Sequence, residues 1–215
     1  MTLFGLVRHG QTEYNRQHLF QGSSDIPLND TGREQAHQAL DTATPMAWDA
    51  VITSPLSRAQ ETGRIIASDH ALSFEGTDPR LVEIDWGQAE GHSVPEMEER
   101  YPRRSFPGRE DLHSVVDRSC SALDELADAR PGQSVLLVAH GTLIRLLISG
   151  VTGEHLPSLP NGALSLLEVE GDTWTVRMIA GQEIEPISAV LPRDRRPRFT
   201  LDDDHLAPYV PAPTH

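Results

Sequence analysis

Two five-residue segments of the chain follow one pattern. Leu6-Val7-Arg8-His9-Gly10 and Leu137-Val138-Ala139-His140-Gly141 each run from apolar residues into a histidine and a glycine, with a threonine soon after (Thr12, Thr142). Each apolar run is short and reads as a buried strand ending in a turn. The two histidines then stand at the carboxyl ends of strands, the edge of an open α/β sheet where ligands bind. Cations gather at the same edge. Arg8 adjoins His9, and Arg58 falls in the first turn of a helix directly after a strand, where backbone N–H groups and the dipole favour an anion. Gly10 and Gly141 are expected to let the backbone approach a ligand closely. Alone, each histidine would read as structural and each arginine as a surface charge. Together they make a phosphate pocket.

Arg8-His9-Gly10-Gln11-Thr12 resembles the signature of the histidine phosphatase superfamily, in its phosphoglycerate-mutase-like branch. Further segments match that family's pattern in order: Asn15 with Phe20-Gln21-Gly22; Asp25-Ile26-Pro27-Leu28 leading to Gly32; and Ser54-Pro55-Leu56-Ser57-Arg58-Ala59 with Thr62. Leu81-Val82-Glu83-Ile84-Asp85-Trp86-Gly87 and Val138-Ala139-His140-Gly141 close the set, which covers residues 3 to 181. The resemblance implies that His9 attacks phosphorus and carries a transient phosphohistidine. It implies that Arg8, Arg58 and His140 bind the phosphoryl oxygens, and that Asn15, Gln21, Gly22, Gly141 and Thr142 complete the pocket. Glu83 would protonate the leaving alkoxide and then take a proton from water. That family uses no metal, and no cofactor is expected for this chain, which fits the chemistry, since arginines can neutralise a phosphoryl group in place of Mg²⁺. The attacking imidazole must be neutral, whereas His140 serves better protonated, so the two rings need different environments. Glu83 must hold a proton near neutrality, and partial burial is expected to raise its pKa.

The same scaffold supports hydrolysis and mutase chemistry. Val94 falls where the mutases of the family resemble one another in having a lysine. Arg103-Arg104-Ser105-Phe106 looks like the mutase arginine pair but lies nearer Glu83, and Pro107-Gly108-Arg109-Glu110 resembles a segment of the small phosphatases. Ala89 stands where those phosphatases usually have tryptophan. A metal-independent phosphomonoester hydrolase acting on a small phosphorylated metabolite is the favoured reading. A phosphoglycerate mutase and a non-catalytic phospho-ligand-binding module are the alternatives, the latter disfavoured because His9, Glu83 and His140 are all retained. Ten histidines invite a metalloprotein, but no HExxH or short Cys/His ligand cluster is present. Arg100, Arg103, Arg104 or Arg109 could read a second anionic group.

The elements that position these residues follow from periodicity. Residues 30 to 43 read as a helix with Thr31 and Glu34 at capping-box spacing. Ala50-Val51-Ile52 is a strand running into Ser54, a candidate cap, and Pro55, suited to the first helical position of a helix reaching Ser68. Residues 111 to 129 carry an apolar stripe that includes Cys120, which is read as core. Ser134 to Ala139 is a continuous apolar strand, Leu143 to Val151 a buried helix, and Ala163 to Val169 and Thr173 to Ile179 a hairpin about Gly171-Asp172. This alternation predicts a three-layer α/β/α sandwich with a mostly parallel central sheet over residues 1–182. Prolines 186, 192, 197, 208, 211 and 213 are expected to break any regular element in a Pro-rich tail, residues 183–215.

Composition narrows the partners. The 215 residues suit one domain with a sizeable core. A formal net charge of −14 argues against nucleic acid or an anionic membrane surface as the main partner. No apolar run approaches the roughly 18 residues of a membrane span. The segment Met1 to Val7 has neither a basic n-region nor a cleavage site, so no signal peptide is expected. One cysteine excludes an intrachain disulfide, and cytoplasm is the expected compartment. Either a monomer or a homodimer is compatible with these features.

Overall fold

The apolar runs that flank the two histidines lie at the middle of a sheet. The computed structural model describes residues 1–41 and 46–193. In chain order the elements are β1 (Thr2–Arg8), α1 (Glu13–Arg16), α2 (Asp30–Gln38), β2 (Ala50–Thr53), α3 (Ser57–Asp69), β3 (Ser73–Thr77), α4 (Val94–Arg100), α5 (Leu112–Ala129), β4 (Ser134–Ala139), α6 (Gly141–Thr152), β5 (Leu164–Glu170), β6 (Thr173–Ile179) and β7 (Gln182–Val190). The seven strands form one sheet in the order β3-β2-β4-β1-β5-β6-β7. β1 and β4 pair in parallel with Val7 opposite Val138 and Arg8 opposite Ala139, so His9 and His140 leave neighbouring strands at the same level.

Side-chain alternation makes the three layers. On β4, Val135, Leu137 and Ala139 join a cluster with Val115, Leu123, Ile144 and Leu147 of α5 and α6. Leu136 and Val138 point the other way, onto Ala59, Ile66 and Ala67 of α3. Burial on both faces explains the unbroken apolar run. Cys120 is buried in the first cluster, as expected.

The sheet departs from the expected one in being mixed. β3, β2, β4 and β1 are parallel, whereas β5, β6 and β7 run antiparallel beside them. The expected boundary at residue 182 also falls inside the sheet, because Gln182–Val190 pairs with β6. Pro186 is accommodated because β7 is an edge strand whose register shifts opposite Val176 to Met178, a bulge that spares the missing N–H. Ala180 and Gly181, both at positive φ, make the tight turn between β6 and β7. Beyond the strand, Arg193 donates to Asp128 Oδ1 at 2.8 Å. The remainder of the expected tail, and Ala43 of the expected helix, lie outside the described residues.

Two caps differ from expectation. α2 is capped by Asn29, whose side chain accepts from Gly32 N, so the helix starts before the expected Thr31. α3 begins at Ser57, and its first N–H is taken by the Asp25 carboxylate at 2.7 Å, leaving Ser54 for another partner.

Candidate active site

His9 follows β1 and continues its ladder, donating its backbone N–H to Ala139 O at 3.0 Å. Its ring is 2% exposed. Nδ1 lies 2.7 Å from Gly10 O, and a carbonyl can only accept, so Nδ1 carries the hydrogen and Nε2 keeps its lone pair. Burial, then Arg58 and Arg8, hold the imidazole well below its ordinary pKa. His9 is therefore neutral with Nε2 unprotonated.

His140 is wholly buried beside it, the ring centroids 5.2 Å apart. Its Nε2 meets Ser54 Oγ at 2.7 Å, the partner that the cap reading had assigned to a helix N-terminus. Burial, Arg58, His9 and Arg8 push its pKa well below 6.5 too. The expectation of a protonated His140 is thus corrected: two guanidiniums and a second imidazole oppose a further positive charge in a dry site.

The arginines are held from behind. Arg8 donates through Nη1 to Leu159 O. Arg58, 0% exposed, donates Nη1 to Ser24 O and Nη2 to Gly22 O, both at 2.7 Å. Desolvation lowers the Arg58 pKa to about 10, with Glu83 opposing the shift, so it stays charged near neutrality. Arg8 Nε, Arg58 Nε and His140 Nδ1 are buried without a hydrogen-bond partner among the described residues. Orphaned buried donors are costly, and here they belong to the two arginines that act electrostatically on His9 and to the ring packed beside it.

Glu83 completes the ring of charges. Its carboxylate accepts from Thr142 N and Leu143 N, both at 3.0 Å, and from Ile84 N at 3.1 Å, so it sits on the N-terminus of α6. The segment leading to it is held by Arg118 of α5, which donates to Arg80 O and Val82 O at 2.7 and 2.6 Å.

These groups share a cleft of about 510 Å³. Arg8, His9, Asn15, Gln21, Gly22 and Glu83 line it, joined by Gly141 and Thr142, whereas Arg58 and His140 lie behind its surface. Thr12 donates to Gln21 Oε1 at 2.5 Å, and Asn161 donates to His9 O and Asn15 Oδ1 at 3.0 and 3.2 Å. Leu19, Phe20, Trp86 and Val94 form an apolar wall. Of the four arginines considered for a second anion, Arg104 lines the cleft, donating to Glu98 and stacking over Phe20 and Trp86. Sequence reasoning missed Asn161 and Arg145. Arg145 is buried and lines the cleft, its pKa lowered to about 10 by desolvation and by Arg104. A charge inside the apolar run of α6 was the signal for it. Among the described residues no group of three His, Cys, Asp or Glu could hold a metal ion.

The glycines serve packing more than ligand approach. A Cβ on Gly10 would stand 2.1 Å from Gly32 O, and one on Gly141 3.0 Å from Arg8 Nε. Gly10→Ala is therefore expected to cost about 1–3 kcal/mol by overpacking, read as a lower midpoint in urea; an unchanged midpoint would refute the close approach. Both imidazoles are depressed in the folded chain, so the unfolded chain takes up protons first as pH falls below 6.5. Their contribution to stability is full above that pH and declines below it, by up to about 1.4 kcal/mol per pH unit for each ring. Urea unfolding between about pH 7 and pH 5 should fall more steeply for the wild type than for His140→Ala, and parallel slopes would contradict the depressed rings.

The model of the histidine phosphatase superfamily (branch 1) matches residues 4–181. "Uncharacterized phosphatase PhoE" of Bacillus subtilis (strain 168) is 38% identical over 181 residues, 82% of this chain and 93% of its own. "Probable phosphoglycerate mutase GpmB" of Cronobacter sakazakii is 34% identical over 185 residues, covering 79% and 86%. Among solved structures, Bacillus stearothermophilus YhfR superposes with a TM-score of 0.76 at 25% identity, covering 86% of this chain and 98% of that one. A mycobacterial glucosyl-3-phosphoglycerate phosphatase complexed with VO3 gives 0.72 at 26% identity, covering 83% and 98%. No helix among the described residues is long and apolar enough to cross a membrane.

Proposed function

The chain belongs to the histidine phosphatase superfamily, branch 1, and from that premise we propose that it hydrolyses phosphate monoesters of small metabolites through a phosphohistidine on His9. The observation that carries the reading is the set of orphaned buried nitrogens, Arg8 Nε, Arg58 Nε and His140 Nδ1, around an imidazole whose Nε2 lone pair is free to attack. A phosphoryl group seated there would satisfy all three. We assign Ser54 as donor to His140 Nε2, 2.7 Å away, because the ring hydrogen then lies on Nδ1, where a neutral His140 can donate to a phosphoryl oxygen.

In the first step Nε2 of His9 bonds to phosphorus as the bond to the ester oxygen breaks, and Glu83 gives that oxygen its proton. Water then attacks the phosphohistidine, Glu83 takes the proton released, and inorganic phosphate leaves with His9 neutral again. Arg8 and Arg58 act by neutralising the charge spread over the phosphoryl oxygens and by holding the group in line for attack. Asn15 and Gln21, pinned through Thr12 and Asn161, line the same pocket, with the Gly22, Gly141 and Thr142 backbone beside them.

The cleft volume suits a metabolite, and its apolar wall suits an alcohol moiety of sugar size. The structural relative that acts on glucosyl-3-phosphoglycerate supports that class. Val94 in the wall leaves an apolar side chain where a mutase of this family would have a cation, which favours hydrolysis over phosphate relocation. The buried, unpaired Cys120 fits a cytoplasmic protein. Release of phosphate from p-nitrophenyl phosphate should persist undiminished in EDTA. Loss of activity on chelation, restored by a divalent metal, would overturn the mechanism, and isomerisation of 3-phosphoglycerate without hydrolysis would make it a mutase.

A further inference from the structure

Seven residues after the acid, Glu90 gathers five donors onto one carboxylate. Oε1 accepts from Ser23 N at 2.8 Å, Ser23 Oγ at 3.1 Å and Trp86 N at 3.2 Å. Oε2 accepts from Ser24 N at 3.0 Å and from Ser24 Oγ. Three of these donors are backbone N–H groups on two different loops. The first loop, residues 22–24, supplies both carbonyls on which Arg58 is seated. The second carries Glu83 at its start and Trp86 in the cleft wall.

We propose that Glu90 is a positioning residue: by clamping the 22–24 loop against the loop that follows Glu83, it fixes the aim of Arg58 at the phosphoryl site. This rests on the phosphatase reading of the same cleft. Two features make the clamp specific. Gly22 adopts φ +54°, and a Cβ there would fall 2.1 Å from Glu90 Oε1, so the carboxylate packs directly on the glycine. Further, the two NH₂ groups of Arg58 are bound by Gly22 O and Ser24 O, while its Nε has no hydrogen-bond partner among the described residues. The direction in which Nε points is therefore set by where those carbonyls stand, and Glu90 holds the two N–H groups, Ser23 N and Ser24 N, that lie between them in the chain. A carboxylate is the group that fits, because both oxygens must accept. Glutamine would turn its NH₂ end against one set of N–H donors.

The test is a double-mutant cycle between Glu90 and Arg58, read as kcat/KM for p-nitrophenyl phosphate and as inhibition by orthovanadate, well below each variant's melting temperature. A displacement of an aligned group by an ångström typically costs about 10²-fold, so Glu90→Ala should lower kcat/KM by about that factor and weaken orthovanadate inhibition. Arg58→Ala/Glu90→Ala should be within about threefold of Arg58→Ala alone, since a group acting through Arg58 has nothing left to aim. A purely structural glutamate would instead lose the same factor in both backgrounds, and that multiplicative result overturns the proposal. So does wild-type kcat/KM in Glu90→Ala. Should Glu90→Ala fail to fold, the isosteric Glu90→Gln enters the cycle with a smaller expected loss, about tenfold, and the same criterion of non-additivity. If the wild type binds orthovanadate but turns over no ester, the phosphatase reading fails. The cycle on the orthovanadate dissociation constant then still decides for or against Glu90.

Discussion

His9→Ala is expected to lose at least about 10⁴-fold in kcat on p-nitrophenyl phosphate, comparable to deleting the nucleophile of other covalent enzymes. The substitution removes the imidazole whose Nε2 lone pair is free beside the buried arginines, whereas His140 Nε2 is engaged by Ser54. Water is a poor substitute, since Glu83 serves the first step as its acid and cannot also serve as its base. The fold should survive, because the backbone bond from His9 N to Ala139 O and the Asn161 bond to His9 O do not depend on the ring. Loss of turnover should therefore come with retained orthovanadate binding by calorimetry, the arginines being intact. Residual activity within tenfold of wild type would mean that phosphorus is attacked by something other than His9.

Much of this site was legible because its residues sit where local sequence is least ambiguous. β1 and β4 are buried on both faces, so they read as short apolar runs, and the residue at the end of each run is the histidine. Arg58 was legible from its place after a strand, although the cap was not: Asp25, a carboxylate 32 positions before Ser57, supplies it. What failed did so for want of local signal. β3 has exposed and half-buried residues in alternation at the sheet's edge, and β7 carries a proline that only an edge bulge tolerates. Ser54 looked like a cap because capping uses the same hydroxyl that here serves His140. His140 was expected to be charged because the sequence shows the anion and the arginines it would meet but not the complete burial that leaves the ring in a dry site beside them. Asn161 reaches the cleft from a segment with no motif, and Arg145 was marked only by its charge inside the apolar run of α6.

The acid can be separated from the nucleophile by the leaving group. p-Nitrophenolate departs without a proton near neutral pH, whereas an alkyl alcohol does not, so Glu83→Gln should strike the two classes of ester at different steps. With an alkyl phosphate the first step itself needs the proton, and a loss of about 10²- to 10⁴-fold is expected with no product released early. With p-nitrophenyl phosphate the first step should run close to wild-type rate. The phosphohistidine would then accumulate, because the water that must cleave it has lost its base, and a stoichiometric burst of p-nitrophenol should precede a slow steady state. The geometry makes this a fair test of chemistry. Glu83 also anchors the N-terminus of α6 through Thr142 N and Leu143 N, and the amide oxygen of glutamine can keep one of those bonds while its NH₂ cannot keep the other. A merely loosened helix would slow both esters alike and give no burst. Equal losses on both substrates would therefore assign Glu83 to holding α6 rather than to moving protons, and the acid would have to be sought elsewhere in the cleft. A burst with the aryl ester alone would place proton transfer on Glu83 in both steps, since only a group that serves as acid first and base second is missed in that order.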